Sequence, residues 1–256
     1  MLDWQSYINF PIVKENFNRQ SYGKLLIVTV AFNNLQTIDL QNKFLKKYLI
    51  DDYFYLVVDN SSDIKTSRAI REYCQNNKLA YMRPFFCIYR TGSKSHGSAL
   101  NWIYRFFIKN GNFRYFGFID HDLYPAKKTS ILRYIENQPI YGLLQERDEK
   151  WYLWAGFCFF DRDYLSDKHV DFFPQPGVVD TGGMNYYSLY RNMDKSGLEF
   201  PRQAYLRITD SKIVQEGNVE FLGDWLHTFN ASGWLQFENA SEREIKVKKI
   251  LDDLLK

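Results

Sequence analysis

The sequence predicts an α/β fold, a mostly parallel sheet flanked by helices, with an appended C-terminal region that covers the sheet. Three observations carry this expectation. Short apolar or aromatic runs alternate with runs of helical period through the first half. That alternation ceases near residue 142. No internal repeat, low-complexity tract or Gly/Ser- or Pro-rich linker divides the chain, so one continuous domain over residues 1–256 is expected.

The first expected strand is Leu25 to Val30 (LLIVTV), an uninterrupted apolar run suited to a parallel strand buried on both faces. Leu35, Ile38, Leu45, Tyr48 and Leu49 follow at helical spacing, and Asp51-Asp52 breaks that helix. Phe54 to Val58 is the second strand. Asp59-Asn60-Ser61-Ser62-Asp63 is turn and N-cap chemistry, leading into a helix with Ile64, Ala69, Ile70 and Tyr73 on it. Residues 81–89 (YMRPFFCIY) read as a third strand, with Pro84 restricting part of it to an edge or bend. Ser98 is expected to cap a helix whose Ala99, Ile103, Phe106 and Phe107 share one face, and Tyr115 to Ile119 (YFGFI) is the fourth strand. Right-handed crossovers bring the C-terminal ends of such strands to one rim, where ligands of open α/β sheets bind. Asn33, Asp59 and Asp120 all follow strands.

In the second half, Trp151 to Phe160 (WYLWAGFCFF) is an aromatic strand and Phe173 to Gly177 a bend. Residues 181–193 are expected to form a short helix, and 218–236 a strand followed by a loop. Val247, Ile250, Leu251, Leu254 and Leu255 define an amphipathic helix over 241–256. Beside this stripe, Lys246, Lys248 and Lys249 suit either a packed terminal helix or peripheral contact with an anionic membrane surface.

With 33 Lys+Arg against 30 Asp+Glu and 45% apolar residues, the chain is neither disordered nor basic enough for a dedicated nucleic-acid binder, so no nucleic-acid partner is expected. The cysteines Cys74, Cys87 and Cys158 are too widely spaced for a CxxC zinc site and odd in number, which fits a reducing compartment. No apolar h-region or spanning segment is found, so the expected location is the cytoplasm, with the inner face of a membrane open to it. The 19 Tyr, 21 Phe and 6 Trp serve the core, or in part line a site for a flat or carbohydrate ligand.

The sharpest local feature is Asp120-His121-Asp122 directly after an apolar strand. Two carboxylates separated by one residue at a strand end can converge on Mg²⁺ or Mn²⁺; the alternative is a solvated turn that caps the helix near Thr129 to Ile135.

Four ordered elements, IVTVAFNN, VVDNSSD, GSKSHGSALN and FGFIDHD, together resemble the nucleotide-sugar-binding half of GT-A-fold glycosyltransferases, especially the large family 2. The resemblance covers roughly residues 24–125. It implies that Thr29, Ala31 and Phe32 lie along the base and ribose, mostly through backbone atoms. It further implies that Asp59 accepts from the base or ribose, that Ser98 and Asn101 border the nucleotide, that Asp120 reaches the ribose or metal, and that Asp122 binds the metal. Ala31-Phe32 and Asn60 depart from the family pattern, which leaves uracil, guanine and thymine open as the base.

Residues 142–240 would then form the acceptor half. Trp154-Ala155-Gly156-Phe157 through Arg162 resembles the strand that precedes the family's acidic motif, and Asp180-Thr181-Gly182-Gly183 resembles that motif without its usual Glu-Asp pair. Asp180 is the implied base or, alternatively, a helix N-cap with Thr181; Asp224 is the reserve base. His227 sits where a further metal ligand is expected, or is a core residue. His96 meets phosphate or is loop structure, and His169 has no evident partner. Trp151, Trp154, Tyr186, Tyr187, Trp225 and Trp234 are the aromatics near the acceptor elements. The implied activity is transfer of a sugar from a UDP- or GDP-sugar to a saccharide or glycolipid hydroxyl in surface glycan or glycolipid synthesis, with Mn²⁺ or Mg²⁺ as cofactor; it inverts the anomeric centre if Asp180 is the base, and a retaining route is open without such a base. A nucleotidyltransferase would need a Gly-rich phosphate loop, and residues 29–37 hold no glycine. A noncatalytic carbohydrate-binding module is the other alternative.

Overall fold

In the computed structural model, which describes residues 10–84, 92–175, 177–231, 233 and 236–256, the first apolar run forms strand β1 (Leu25–Ala31), buried at every position. Its side chains alternate between two cores. Leu26, Val28 and Val30 pack with Phe17 of α1 (Phe10–Ser21) and with Leu100 and Ile103. Leu25, Ile27 and Ala31 pack with Ile38, Leu45 and Ile70 on the other face. A parallel strand covered by helices on both sides must be apolar throughout, which is why the run does not alternate.

Helix α2 (Leu35–Tyr48) opens on Asn34, whose side chain accepts from the Thr37 amide, and α3 (Ile64–Asn76) opens on Asp63 as expected. Between them runs β2 (Tyr53–Asp59). The α2 helix ends at Tyr48, before Asp51. Asp51 instead accepts from the Ile131 amide at 2.6 Å and caps the short α5 (Leu132–Ile135). Strand β3 is confined to Ala80–Met82; the rest of the expected strand to residue 89, Cys87 included, lies largely outside the described residues.

The expected start of the next helix is corrected. Helix α4 runs Gly92–Ile103, so Ser98 is interior to it and caps nothing. Tertiary packing explains the difference. A Cβ at Gly97 would come within 2.5 Å of the Phe172 carbonyl oxygen, so the glycine admits the 172–174 backbone against the helix. Asn101 then clamps that segment, donating to Asp171 at 2.6 Å and accepting from the Phe172 amide at 2.8 Å.

Strands β4 (Tyr115–Asp120), β6 (Ile140–Arg147) and β7 (Lys150–Asp161) complete a six-stranded sheet of order β3-β2-β1-β4-β7-β6. β1, β2, β3 and β4 are parallel, and β7 is antiparallel to both its neighbours. This is the mostly parallel, helix-flanked α/β sheet that the sequence predicts. The register pairs Ala31 with Asp59 and Val30 with Asp120, so the C-terminal ends of β1, β2 and β4 share a rim.

Immediately past that rim, β5 (Leu123–Pro125) joins a second, antiparallel sheet with β10 (Trp225–His227), β9 (Asn218–Leu222) and β8 (Gln203–Arg207), in the order β5-β10-β9-β8. The expected strand and loop over 218–236 is thus two strands joined through Gly223, whose φ of +59° suits a residue without Cβ. The expected helix over 181–193 reduces to a single 3₁₀ turn, Gly183–Tyr186, entered through Gly182 at φ +88°.

The C-terminal helix α7 spans Ala240–Leu255, after the short α6 (Val214–Gly217). Its apolar stripe is committed to the interior: Val247, Ile250, Leu251, Leu254 and Leu255 pack with Phe44, Tyr124 and Leu226. No described helix is long and apolar enough to cross a membrane.

Candidate functional site

The site begins where β4 ends. Asp120, His121 and Asp122 form the link between the two sheets, and a buried glutamine holds both of its ends. Gln41 donates to the carbonyls of Asp120 and Leu123 at 2.8 and 2.7 Å and accepts from the Tyr55 hydroxyl at 2.6 Å. Leaving either carbonyl unsatisfied would cost about 1–3 kcal/mol, so this residue fixes the turn. His121 turns inward, its Nδ1 3.1 Å from the Thr37 hydroxyl, and burial holds its pKa down.

The second sheet supplies the remaining partner. β10 pairs His227 with Leu123, and the Thr228 amide donates to the Asp122 carbonyl at 3.0 Å, which places the imidazole against Asp122. One ligand atom each from Asp120, Asp122 and His227 lies within 4.8 Å of the others. Two carboxylates and an imidazole at that spacing fit a divalent cation. Glu220, buried on β9, approaches the far side of the ring, with its Oε2 2.9 Å from His227 Nδ1. Gln203 donates to the other oxygen of Glu220. With Nδ1 occupied, Nε2 is the nitrogen directed at Asp122, 3.5 Å from its Oδ1. A carboxylate behind a ligating histidine fixes its tautomer and raises its basicity.

The electrostatics follow from this packing. Burial opposes charge on His227, yet Asp122 and Glu220 on either side of the ring push its pKa up to about 10. Burial likewise opposes ionisation of Asp122, but His227, His121 and the Ala231 amide together bring its pKa well below the ordinary carboxylate range. Asp120 is shifted upward, first by burial and further by Asp122, against the pull of His96. One carboxylate of the pair is therefore anchored as an anion, while the other is held ready to gain from a positive partner. Arg243 of α7 buttresses the assembly from behind by donating to the carbonyls of Gln215, Asn218 and Thr228.

These groups line a cavity of ≈ 350 Å³ at the rim of the parallel sheet. Phe32 and Val30 of the first strand and its loop, Asn60 after β2, and Ser95 and His96 of α4 form one part of its wall. Asn60 donates to the Ser95 hydroxyl at 2.7 Å and ties these elements together. Trp154, Asp180, Thr181 and Phe229 come from the second half of the chain. Trp154 is half-buried with its ring 4.9 Å from that of His227. Gly156, on the same face of β7, makes room for it: a Cβ there would overlap the indole.

The structure thus brings together Phe32, Asp120, Asp122, Asp180 and His227 of the residues expected from sequence. It does not bring Thr29, Ala31, Asp59, Ser98 or Asn101 to the cavity. Thr29 and Ala31 are fully buried in β1, where side chains alternate and only Val30 turns toward the cavity; the Ala31 carbonyl is occupied by the Asn60 amide at 2.9 Å. Asp59 is fully buried and saturated by the chain itself, accepting from the Ser61 amide, the Ser67 and Tyr81 hydroxyls and Arg83. Ser98 and Asn101 lie along α4 away from the cavity, for the packing reason given above.

Asp180 is not a helix cap. The position preceding the 3₁₀ turn is Gly182, and the Asp180 Oδ1 accepts only from the adjacent Thr181 backbone and hydroxyl among the described residues. Asp224, the reserve base, sits in the β9–β10 turn outside the cavity wall, its carbonyl bound by Ala126. His96 does line the cavity, with its Nε2 3.6 Å from Asp120 Oδ1, whereas the exposed His169 does not. Of the acceptor-side aromatics, Trp151 and Trp225 are core residues and Tyr186 and Tyr187 lie off the cavity wall, which leaves Trp154. Trp234 lies outside the described residues. Gln41, Glu220 and Arg243 had no sequence signal, because isolated polar residues in apolar-patterned elements carry no motif.

No family model matches the sequence, and no curated protein matches it. Among solved structures, the chain is similar to the mannosyltransferase PcManGT from Pyrobaculum calidifontis in complex with GDP-Man and Mn²⁺, at 12% identity and a TM-score of 0.42, over 63% of this chain and 54% of that one. It is similar to the apo bifunctional glycosyltransferase WbbM at 10% identity and a TM-score of 0.38, over 56% of this chain and 32% of that one. It is similar also to an active-site mutant of LgtC at 11% identity and a TM-score of 0.39, over 56% of this chain and 59% of that one. The likeness is one of fold. In each case the match spans less than two thirds of the other chain's length.

Proposed function

We propose that this protein is a metal-dependent glycosyltransferase that moves a sugar from a nucleoside-diphosphate sugar to a hydroxyl acceptor. The observation that carries this reading is the convergence of Asp120, Asp122 and His227, within 4.8 Å, on the wall of a cavity that Asp180 also lines. In this reading residues 24–125 form the donor half, 142–240 the acceptor half, and 241–256 a supporting helix.

Asp120, Asp122 and His227 would hold Mn²⁺ or Mg²⁺, the imidazole favouring Mn²⁺, because Mg²⁺ is more exacting about oxygen ligands. When bound, such an ion neutralises the charge of a departing diphosphate. Phe32 offers an apolar surface to the base or ribose, and Asn60 and Ser95 offer polar groups beside it. Asp180 takes the proton of the acceptor hydroxyl on its carboxylate, with Oδ1 steadied by the Thr181 amide at 2.7 Å. Trp154 supplies a ring against which an apolar sugar face can rest. Attack assisted by a base on the face opposite the leaving group inverts the anomeric centre. A surface glycan or glycolipid acceptor is the substrate class in keeping with the sequence resemblance.

The test is to titrate the protein with Mn²⁺ and a panel of nucleotide sugars, following thermal stabilisation and donor hydrolysis. The expected result is a response to one donor class that disappears in Asp122→Ala. Silence toward every donor overturns the reading.

A further inference from the structure

Among the described residues, most sheet edges of the molecule are blunted. β3 and β5 are three residues long each, and β6 is buried over its first four positions and shifts register against β7 between Gly142 and Leu144. Short strands, cover and irregular register are means by which a sheet edge avoids pairing with another chain. The remaining edge, β8 (Gln203–Arg207), shows none of them. It is exposed at every position, keeps an unbroken register with β9 and holds neither lysine nor proline. Its Tyr205 and Leu206 are large apolar side chains left 52% and 45% exposed.

Hydrogen bonds at the two ends of β8 fix which groups point outward. The Arg202 carbonyl accepts from the Gly223 amide at 2.9 Å, and the Ile208 amide donates to the Gly217 carbonyl at 2.7 Å, so the even-numbered positions face β9. By the alternation of an antiparallel ladder, the N–H and C=O of Gln203, Tyr205 and Arg207 point away from the sheet. Among the described residues nothing bonds these groups.

The edge is complementary to itself. If a second copy runs antiparallel with Tyr205 opposite Tyr205, Gln203 stands opposite Arg207 at both ends and every outward N–H and C=O is answered. On one face Ala204 then opposes Leu206, a small side chain against a large one. On the other face the aromatic pair is favourable, and the Arg207 guanidinium meets a neutral carboxamide. At each end Arg202 is diagonal to Asp210, a charge of opposite sign. Neighbouring registers fail. Centring on Ala204 sets Arg207 against Pro201, which has no N–H. Centring on Leu206 sets Gln203 against Thr209, whose amide is already bound to the Gly217 carbonyl. Centring on Arg207 sets two guanidinium groups face to face.

We propose that β8 is a homodimer interface, in which it pairs antiparallel with β8 of a second copy about a two-fold axis at Tyr205 and joins two four-stranded sheets into one. A second copy is the occupant because backbone polarity, side-chain size and charge all match about that single residue. Nothing in this pairing depends on the glycosyltransferase reading. The interface is linked to the candidate metal site all the same, since Gln203 donates to Glu220 and Glu220 holds the ring of His227.

The experiment is sedimentation velocity of the full chain across a concentration series. A strand pair with its side chains lies at the small end of specific interfaces, so the wild type should dimerise with a Kd of about 10–100 µM. Tyr205→Pro removes an outward donor and leaves the ladder to β9 intact, and Tyr205→Lys sets two ammonium groups opposite each other. Each should weaken association about tenfold or more while keeping the circular dichroism of the wild type. Tyr205→Cys should form an interchain disulfide on mild oxidation that the wild type does not, because hydrogen-bonded ladder partners lie about 5.5 Å apart at Cα, within disulfide range. A wild type that stays monomeric to about 500 µM overturns the proposal and leaves the edge to a strand of another protein. A dimer that keeps its affinity in both Tyr205→Pro and Tyr205→Lys, or that does not cross-link through Tyr205→Cys, has its interface elsewhere and overturns it equally.

Discussion

Glu220 and His227 form a buried pair, with the carboxylate Oε2 2.9 Å from the ring Nδ1, and this contact decides which nitrogen of the histidine faces Asp122. Glu220→Gln should weaken Mn²⁺ binding by about 10- to 100-fold, the usual cost of losing an outer-shell carboxylate. Titration of the paramagnetic ion by EPR measures this directly; an unchanged affinity would show that the ring is oriented by its packing alone.

The same pair sets a pH dependence. Without metal, His227 carries its proton up to about pH 10, because carboxylates flank it. Its pKa is raised on folding, so its contribution to metal-free stability is fully present below the unfolded value of about 6.5 and is lost as pH rises through about 10. A metal ion must displace that proton. Mn²⁺ affinity should therefore rise with pH between about 6.5 and 10, with release of about one proton. Calorimetry in two buffers of different ionisation enthalpy reads the proton count.

Asp59 is held by the Ser61 amide at 2.9 Å, Tyr81 at 2.7 Å and Arg83 at 3.2 Å, in addition to Ser67. Removing it strands these donors. Asp59→Ala should cost about 2–3 kcal/mol in urea unfolding. The folded variant should still be stabilised by the donor that stabilises the wild type, since the carboxylate does not line the cavity.

Gly156→Ala tests the seat of Trp154. The added Cβ overlaps the indole, so the ring must leave its place beside His227 or the strand must shift, at about 1–3 kcal/mol. Donor-induced changes in tryptophan fluorescence should shrink in this variant. Persistence of the wild-type signal would remove Trp154 from the ligand's surroundings.

Asp180→Asn should lower transfer by about 10²- to 10⁴-fold, the range for loss of a positioned base. Mn²⁺ affinity should not change, because Asp180 is not among the ligating atoms. A product of retained anomeric configuration would overturn its assignment.

The alternating half of the fold was legible because its cause is local: β1 reads as a strand from LLIVTV alone, and the Asp59 to Asp63 turn supplies Asp63 as the cap of α3. The aspartates of FGFIDHD were legible for the same reason, as carboxylates at a strand end. The stretch GSKSHGSALN was legible only in part: Gly92, Ser93, Ser95 and His96 line the cavity, but Ser98 is interior to α4, and Gly97 and Asn101 serve the contact between α4 and residues 171–172, a partner about 70 positions away.

The sequence by itself determined the strand–helix alternation and the rim on which Asp120 and Asp122 stand, since each rests on residue type within a short window, whereas His227 and Asp180 became candidates through the family resemblance. Only the tertiary structure decided which of these meet. Asp122 reaches His227 because β5 leaves the parallel sheet to pair with β10, and Asp59 is withdrawn because Tyr81 and Arg83 take its oxygens. Glu220, Gln41 and Arg243 acquire their places through long-range pairing and burial. An isolated buried polar residue has no sequence pattern; its partner is defined only once distant strands are brought to hydrogen-bonding distance.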